Sequence, residues 1–347
     1  MTLSEKIERV KQDGGTALDL RGMELKSLDR ELFTLAGLKE LNLNKNLLGD
    51  IPREIGALTE LEELYAGDNR LTRIPGEIGR LTRLTVLYLS RNTLFDLPRE
   101  IGRLSSLRIL FMSSNRISHL PAEIGNLAGL IGIHASSNNL STLPKEAGQL
   151  TGLRILDLSK NYFTRMPPCA SAMTRLIELD LSGNRLDEFP EEILGMRELR
   201  RLNLAENGIP GIPAEIGNLL ELTELDLGNN RIAAIPHTMS RLTKLKTLRI
   251  STNTVADLPD IFGGMLNLEV LDLSGNSIAQ VPDSISRLPN LKELYLRDNQ
   301  IVRMGREFFE MPKCDVLAVS GNPLEYPPME MVNMGIDAVK EFFEMGR

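Results

Sequence analysis

Leu153-Arg154-Ile155-Leu156-Asp157-Leu158-Ser159-Lys160-Asn161 decides how this chain folds, because it is one copy of a pattern that recurs without a slip. The pattern is L-x-x-L-x-L-x-x-N, and a second clear copy places Leu268, Leu271, Leu273 and Asn276 in the same phases. The closing asparagine stands at 46, 69, 92, 115, 138, 161, 184, 207, 230, 253, 276, 299 and 322, so every interval is 23 residues. One interval further back lies Met23, in the degenerate first copy Leu18-Asp19-Leu20-Arg21-Gly22-Met23. The chain is therefore an array of about fourteen units, each burying its apolar side against its neighbours.

Within a unit, the L-x-L alternation puts two leucines on one side of a short strand and turns the residues between them to the other side. The chain then turns, and the asparagine side chain can bond the backbone groups that the turn leaves unpaired. The second half of the unit reads x-L-x-x-L-P-x-E-I-G-x-L-x-x-L, as in Ile74-Pro75-Gly76-Glu77-Ile78-Gly79-Arg80-Leu81 and Leu120-Pro121-Ala122-Glu123-Ile124-Gly125-Asn126-Leu127. Proline ends the strand, and Ile and Leu three apart suit a single helical or 3₁₀ turn packing inward. A unit of 23 residues has no room for a long helix. The predicted fold is an α/β solenoid with a continuous parallel sheet on its concave side and short helical or 3₁₀ turns on its convex side.

The ends of such an array need covers. Thr2 and Glu5 form a candidate capping box, with Leu3, Ile7 and Val10 on one helical face. At the other end Pro327-Pro328 breaks the repeat, and Val332, Ile336, Val339 and Phe343 follow at helical spacing. The expected organisation is a capping helix in residues 1–16, repeats over 17–326 and a capping helix in 327–347. Two covers imply a chain that is whole.

Hydrophobic residues make up 42% of the 347, aromatics only 4%, and tryptophan is absent, so the core is aliphatic. The net charge of −7 speaks against a nucleic-acid binder, which needs a basic face, and against adhesion to anionic membranes. Cys169 and Cys314 lie several repeats apart, on the order of 30 Å at roughly 4.8 Å per stacked strand, which is far beyond disulfide reach. Disulfide-free ends, no apolar stretch at the N-terminus and no run of about eighteen apolar residues favour a cytoplasmic protein. The sequon Asn139-Leu140-Ser141 falls on the repeat pattern and is read as coincidence. His119, His134 and His237 occupy different repeat phases, so no metal cluster is expected; Cys314 takes a leucine position and is expected in the core. No phosphate-binding glycine loop is present, and no cofactor is expected.

Specificity must then come from the outward strand positions. Four before each asparagine stand Asn42, Tyr65, Tyr88, Phe111, His134, Asp157, Asp180, Asn203, Asp226, Arg249, Asp272, Tyr295 and Ala318. Tyr65, Tyr88, Phe111 and His134 make a contiguous aromatic row, flanked six before the asparagine by Val86, Ile109, Gly132 and Ile155. Asp157, Asp180, Asp226 and Asp272, with Glu178 and Glu224, make an acidic stripe. An aromatic row can simply stabilise a sheet through cross-strand pairs. Aromatic anchors on a polar face also mark binding hot spots, and this is the preferred reading. The expected site is the row with Val86 and Ile109, then the stripe with Arg249 and Tyr295. An apolar anchor of the partner would sit on the aromatics and a basic rim on the aspartates. The paired aspartates are no acid–base site, because no nucleophile converges on them.

Units such as Leu97-Pro98-Arg99-Glu100-Ile101-Gly102-Arg103-Leu104 resemble those of the Ras-group intracellular leucine-rich-repeat proteins, which include the plant intracellular Ras-group proteins, the animal Ras-binding scaffolds and the Ras suppressor. The stretch from Gly321-Asn322-Pro323-Leu324-Glu325-Tyr326-Pro327-Pro328 to Phe342 is similar to the C-terminal segment of the plant group. The resemblance runs from about residue 17 to 343 and implies a leucine-rich-repeat horseshoe. It also implies a non-enzymatic signalling scaffold whose partner is a small GTPase or a protein of its pathway. Arg9-Val10-Lys11-Gln12 matches half of the phosphatase-docking motif of the animal scaffold and lacks its aromatic residue. The alternative reading is a regulatory or targeting subunit of an enzyme complex such as a phosphatase or a ubiquitin ligase.

Overall fold

The computed structural model describes residues 2–346. Fourteen three-residue strands follow one another in chain order in a parallel sheet, joined by short 3₁₀ turns. The chain divides into two compact units, residues 1–179 and 180–347.

Unit 1 opens with helix α1 (Leu3–Asp13), whose capping box forms in both directions: Thr2 Oγ1 accepts from the Glu5 amide and Glu5 Oε2 accepts from the Thr2 amide. Its Ile7 is fully buried. Strands β1 (Ala17–Asp19), β2 (Glu40–Asn42), β3 (Glu63–Tyr65), β4 (Val86–Tyr88), β5 (Ile109–Phe111), β6 (Gly132–His134) and β7 (Ile155–Asp157) follow. Each residue pairs with the one 23 positions on, so Leu64 faces Leu87 and Tyr65 faces Tyr88. The repeat length thereby fixes the register, and every column of the sequence becomes a column of the sheet. The central residue of each strand from Leu18 to Leu156 points inward and is at most 3% exposed.

Unit 2 carries β9 (Arg201–Asn203), β10 (Glu224–Asp226), β11 (Thr247–Arg249), β12 (Val270–Asp272), β13 (Glu293–Tyr295) and β14 (Val316–Ala318) in the same register; β8 (Glu178–Asp180) falls on the boundary between the units. It ends in two helices, α2 (Met329–Met334) and α3 (Ile336–Met345). The helical periodicity over 332–343 is broken because Gly335, at φ +106°, ends the first helix. Val339 is buried and Phe343 packs on Tyr326 at 5.4 Å between ring centroids, but Ile336 is left 45% exposed. Cys314 is not in the core as its position implied. It is half-buried beside a 340 Å³ cleft between the last repeat and the helices, with its Sγ 3.2 Å from the Val316 carbonyl.

Within each unit the asparagines tie one repeat to the next. Asn161 Nδ2 donates to the carbonyls of Leu158 and Ser159 in its own turn and to Ala135 in the preceding repeat, all at 3.0 Å. Its Oδ1 accepts from the Leu140 amide at 2.9 Å. The same four-way arrangement recurs at Asn92, Asn115, Asn138, Asn230, Asn253, Asn276 and Asn299. Just before the asparagine the chain takes a left-handed step. Lys45, Asp68, Arg91, Ser114, Ser137 and Lys160 in unit 1 have φ between 51° and 58°. In unit 2 even the β-branched Thr252 does so, at 53°. Such a conformation costs a non-glycine residue about 1–3 kcal/mol and persists only where its surroundings impose it.

On the turn side a proline precedes most of the 3₁₀ turns, as at Gly76–Arg80 after Pro75; Asp29, Ile261 and Gly305 stand in its place before Arg30–Thr34, Phe262–Gly264 and Arg306–Phe308. The glycine of the Ile-Gly pair is required by close approach: a Cβ on Gly79 would stand 2.6 Å from the Glu100 carbonyl oxygen, and one on Gly217 2.5 Å from that of Thr238. The segment Asp283–Arg287 forms turns without a 3₁₀ helix; a Cβ on Gly263 would still stand 3.8 Å from Ser284, and a 670 Å³ groove is lined by Asp283, Ser284 and Arg287.

Replacing Asn161 by leucine keeps the volume and removes four hydrogen bonds. The variant is expected to lose about 1–3 kcal/mol in urea unfolding, since buried backbone groups are left unpaired. A loss indistinguishable from zero would contradict the role given to the side chain.

Candidate functional site

The outward residues of unit 1 are set by the strand alternation, and the aromatic ones meet. Ring centroids are 6.3 Å apart for Tyr65–Tyr88, 5.3 Å for Tyr88–Phe111 and 4.6 Å for Phe111–His134. The last pair is stacked, with 12° between planes; the others are tilted by 43°. All four side chains are half-buried, as are Val86 and Ile109 beside them. The row is thus a continuous apolar ridge with accessible ring surface.

Three local features hold the ridge. Tyr88 lies over the bare backbone of Gly67, where a Cβ would come within 2.6 Å of its Cδ1. The sequence column of residues two before the asparagine contains this glycine, but its relation to Tyr88 emerges only in three dimensions. Gly132 stands where a Cβ would meet Ile109, His134 and Ile155 at ordinary contact distance, 3.6–3.9 Å, so its bare backbone leaves that space unfilled. Two residues after Tyr88, Phe111 and His134, Ser136 Oγ donates to Ser113 Oγ at 3.0 Å and the Ser113 amide donates to Ser90 Oγ at 3.2 Å.

Two groups in the row have shifted acidities. Tyr65 Oη donates to Glu63 Oε2 at 2.5 Å, and this bond to a carboxylate, with burial and the nearby Glu40 charge, pushes the phenol up to about 12. Burial lowers the His134 imidazole below the usual histidine range, against the opposing pull of Asp157 and Glu178. The imidazole is accordingly neutral at physiological pH, and the ridge carries no charge of its own.

The acidic residues behave differently from the freely solvated stripe that the sequence suggested. Asp157 Oδ1 accepts from both the amide and the hydroxyl of Ser159, at 3.0 and 2.7 Å. In unit 2, Asp180 does the same for Ser182 and also accepts from Asn203 Nδ2 at 3.1 Å. Asp226 and Asp272 each take the amide two residues on, at 3.0 Å. These carboxylates are half-buried caps of the turn after the strand. Burial raises the Asp226 carboxyl, and Arg249 Nη1 stands 3.9 Å from its Oδ2 and interrupts the negative run. Tyr295 is occupied as well, its hydroxyl donating to Glu293 at 3.1 Å. Unit 2 therefore presents a mixed polar face, in which Arg249 is the exposed member.

No grouping of three or more His, Cys, Asp or Glu side chains among the described residues is arranged to hold a metal ion. No helix of the described residues is long and apolar enough to cross a membrane. Burial raises both thiols, Cys169 and Cys314, above the usual range, so neither is an activated nucleophile.

The chain belongs to the leucine-rich-repeat family. The family description "Leucine-rich repeat region" matches residues 95–211 and 191–297, and "Leucine rich repeat" matches 16–71 and 60–117. Among solved structures, a leucine-rich-repeat protein of Leptospira interrogans is 30% identical; the match covers 94% of this chain and 96% of that one, with a TM-score of 0.76. An internalin of Listeria monocytogenes is 26% identical over 90% of this chain and 93% of that one, with a TM-score of 0.79. A plant peptide hormone receptor, solved with its peptide, is 30% identical over 91% of this chain, with a TM-score of 0.77; the chain spans 53% of that receptor. No curated protein matches in sequence. Proteins of this family generally work by binding other proteins, and no catalytic family is matched.

Proposed function

We propose that this protein is a non-enzymatic adaptor that binds a partner protein on the strand face of unit 1, over Tyr65, Tyr88, Phe111 and His134. The carrying observation is the contiguous ridge itself. It gathers two of the chain's five tyrosines, a phenylalanine and a neutral histidine in a protein with 4% aromatics. Half-buried rings lose little side-chain entropy on binding and offer large apolar contact areas, which is how hot spots operate. The peptide that the plant hormone receptor binds is a precedent for protein ligands on this fold.

The Ras-group resemblance of the turns makes a small GTPase, or a protein of its pathway, the partner class to try first, and makes the role that of a signalling scaffold. We place the protein in the cytoplasm. Both cysteines are free, and Asn139, although exposed, directs its amide nitrogen to the Arg116 carbonyl at 3.3 Å. The intact mass of protein isolated from its own cells is expected to show two free thiols and no glycan; glycosylated Asn139 would overturn this placement.

The test of the binding face is a photo-crosslinking side chain placed at Phe111 or, as a control, at the exposed Lys145 on the turn side. Crosslinked partner is expected from the first position alone. With that partner, the Tyr88→Ala, Phe111→Ala double variant is expected to stay folded, since both rings point away from the leucine core, and to lose about 2 kcal/mol or more of binding. Wild-type affinity in the double variant, with crosslinks only from Lys145, would place the site on the other side.

A further inference from the structure

The carboxylates around the aromatic ridge are not equivalent. In unit 1 the first and third residues of β1 to β7 include no lysine or arginine, whereas Asp19, Glu40, Glu63 and Asp157 are acidic. Asp19 is tied to Arg21 at 3.1 Å, and Asp157 serves the Ser159 turn. Among the described residues the Glu40 side chain makes no hydrogen bond or ion pair and is exposed, and the Glu63 carboxylate takes only the Tyr65 hydroxyl. The two face each other on adjacent strands, in direct register. Like charges placed opposite one another destabilise a sheet. The nearby Lys39 relieves neither of them, because its ammonium sits 2.9 Å from Glu62.

This pair of carboxylates lies beside ring surface. Tyr65 is on the same strand as Glu63, and Tyr88 on the next, held down on Gly67 so that its other side is turned outward. Two acceptors without a cation, next to tilted aromatic rings, match one side chain above the others. A guanidinium is planar and weakly hydrated; it stacks on an aromatic face while its N–H fork grips a carboxylate. An ammonium does the first less well and the second without the fork.

We propose that the β2–β4 end of the ridge recognises an arginine of the bound protein segment, through Glu40, Glu63 and the rings of Tyr65 and Tyr88. This rests on the strand-face reading above and fixes the direction of the ligand. The arginine sits toward β2 and β3, and apolar residues follow over Val86, Ile109 and Phe111. The charged rim expected at Asp157 and beyond is thereby moved to the opposite end of the ridge.

The test uses the full chain and three labelled peptides read by fluorescence anisotropy. One alternates arginine with leucine, the second replaces arginine by its neutral isostere citrulline, and the third uses lysine. The arginine peptide is expected to bind at least about tenfold more tightly than the citrulline peptide, with lysine between them. Glu40→Gln with Glu63→Gln should abolish that preference and leave citrulline-peptide binding unchanged, while Asp157→Asn should leave it intact. A preference that survives the double glutamine variant, or that disappears in Asp157→Asn, overturns the assignment, as does failure of the arginine peptide to bind. Tyr88→Ala with Phe111→Ala separates the two levels. If it weakens both peptides, the strand-face reading stands whatever the outcome for arginine; if it weakens neither, that reading falls too.

Discussion

The asparagine side chain that closes each repeat is the interaction on which the structure depends. A strand of three residues has too few ladder bonds to define a sheet, and a turn of this tightness leaves carbonyls and amides facing inward. One primary amide resolves both problems, because it has two donors and an acceptor at the end of a short stem. At Asn161 these reach two carbonyls of its own turn, one carbonyl of the repeat before and the Leu140 amide. The bonds to the preceding repeat lock the spacing at 23 residues. The bonds within the turn hold a left-handed residue that most side chains disfavour, Thr252 being the extreme case. A carboxylate at this place would lack the donors, and a leucine would lack everything but volume.

From this constraint the surface follows. Because each strand residue faces the one 23 positions later, a change at one outward position alters a column and leaves the core untouched. Aromatic residues can therefore collect at Tyr65, Tyr88, Phe111 and His134 without a fold-level conflict, which is the usual condition for grafting a binding site on a repeat scaffold. The strands that carry the ridge are already fixed by their register, so the proposed binding calls for no lid or hinge.

The fold was legible because its determinants are local and repeated. The leucine phases, the Pro-x-Glu-Ile-Gly turns and the asparagine spacing define strand, turn and register residue by residue, and the aromatic row could be assembled by counting. What was not legible depends on how side chains meet the backbone. Asp157, Asp180, Asp226 and Asp272 read as a charged stripe, yet each caps an amide two residues on, a use that the recurring Asp-x-Ser and Asp-x-Gly spelling already hinted at. The left-handed step was foreshadowed by Gly183, Gly275 and Gly321 in a column that elsewhere holds lysine, arginine and serine. Gly335, which splits the terminal helix, lies past the last repeat; Cys314 does hold a leucine phase, but in the last repeat, where the terminal helices and a cleft stand in place of a further repeat and leave it half-buried. The significance of Glu40 and Glu63 required knowing which neighbouring cations were already engaged.

The central claim is that asparagine side chains, more than strand pairing alone, keep the repeats in register. Hydrogen–deuterium exchange tests it at the amides that only these side chains accept from. Ile117 and Leu140 donate to Asn138 and Asn161 at 3.0 and 2.9 Å. Both amides are predicted to exchange as slowly as those of Met112 and Ala135, which donate to strand carbonyls in the same unit. Exchange at the rate of the exposed Ser141 amide would contradict the account, because the asparagines would then be bystanders to a sheet that holds itself.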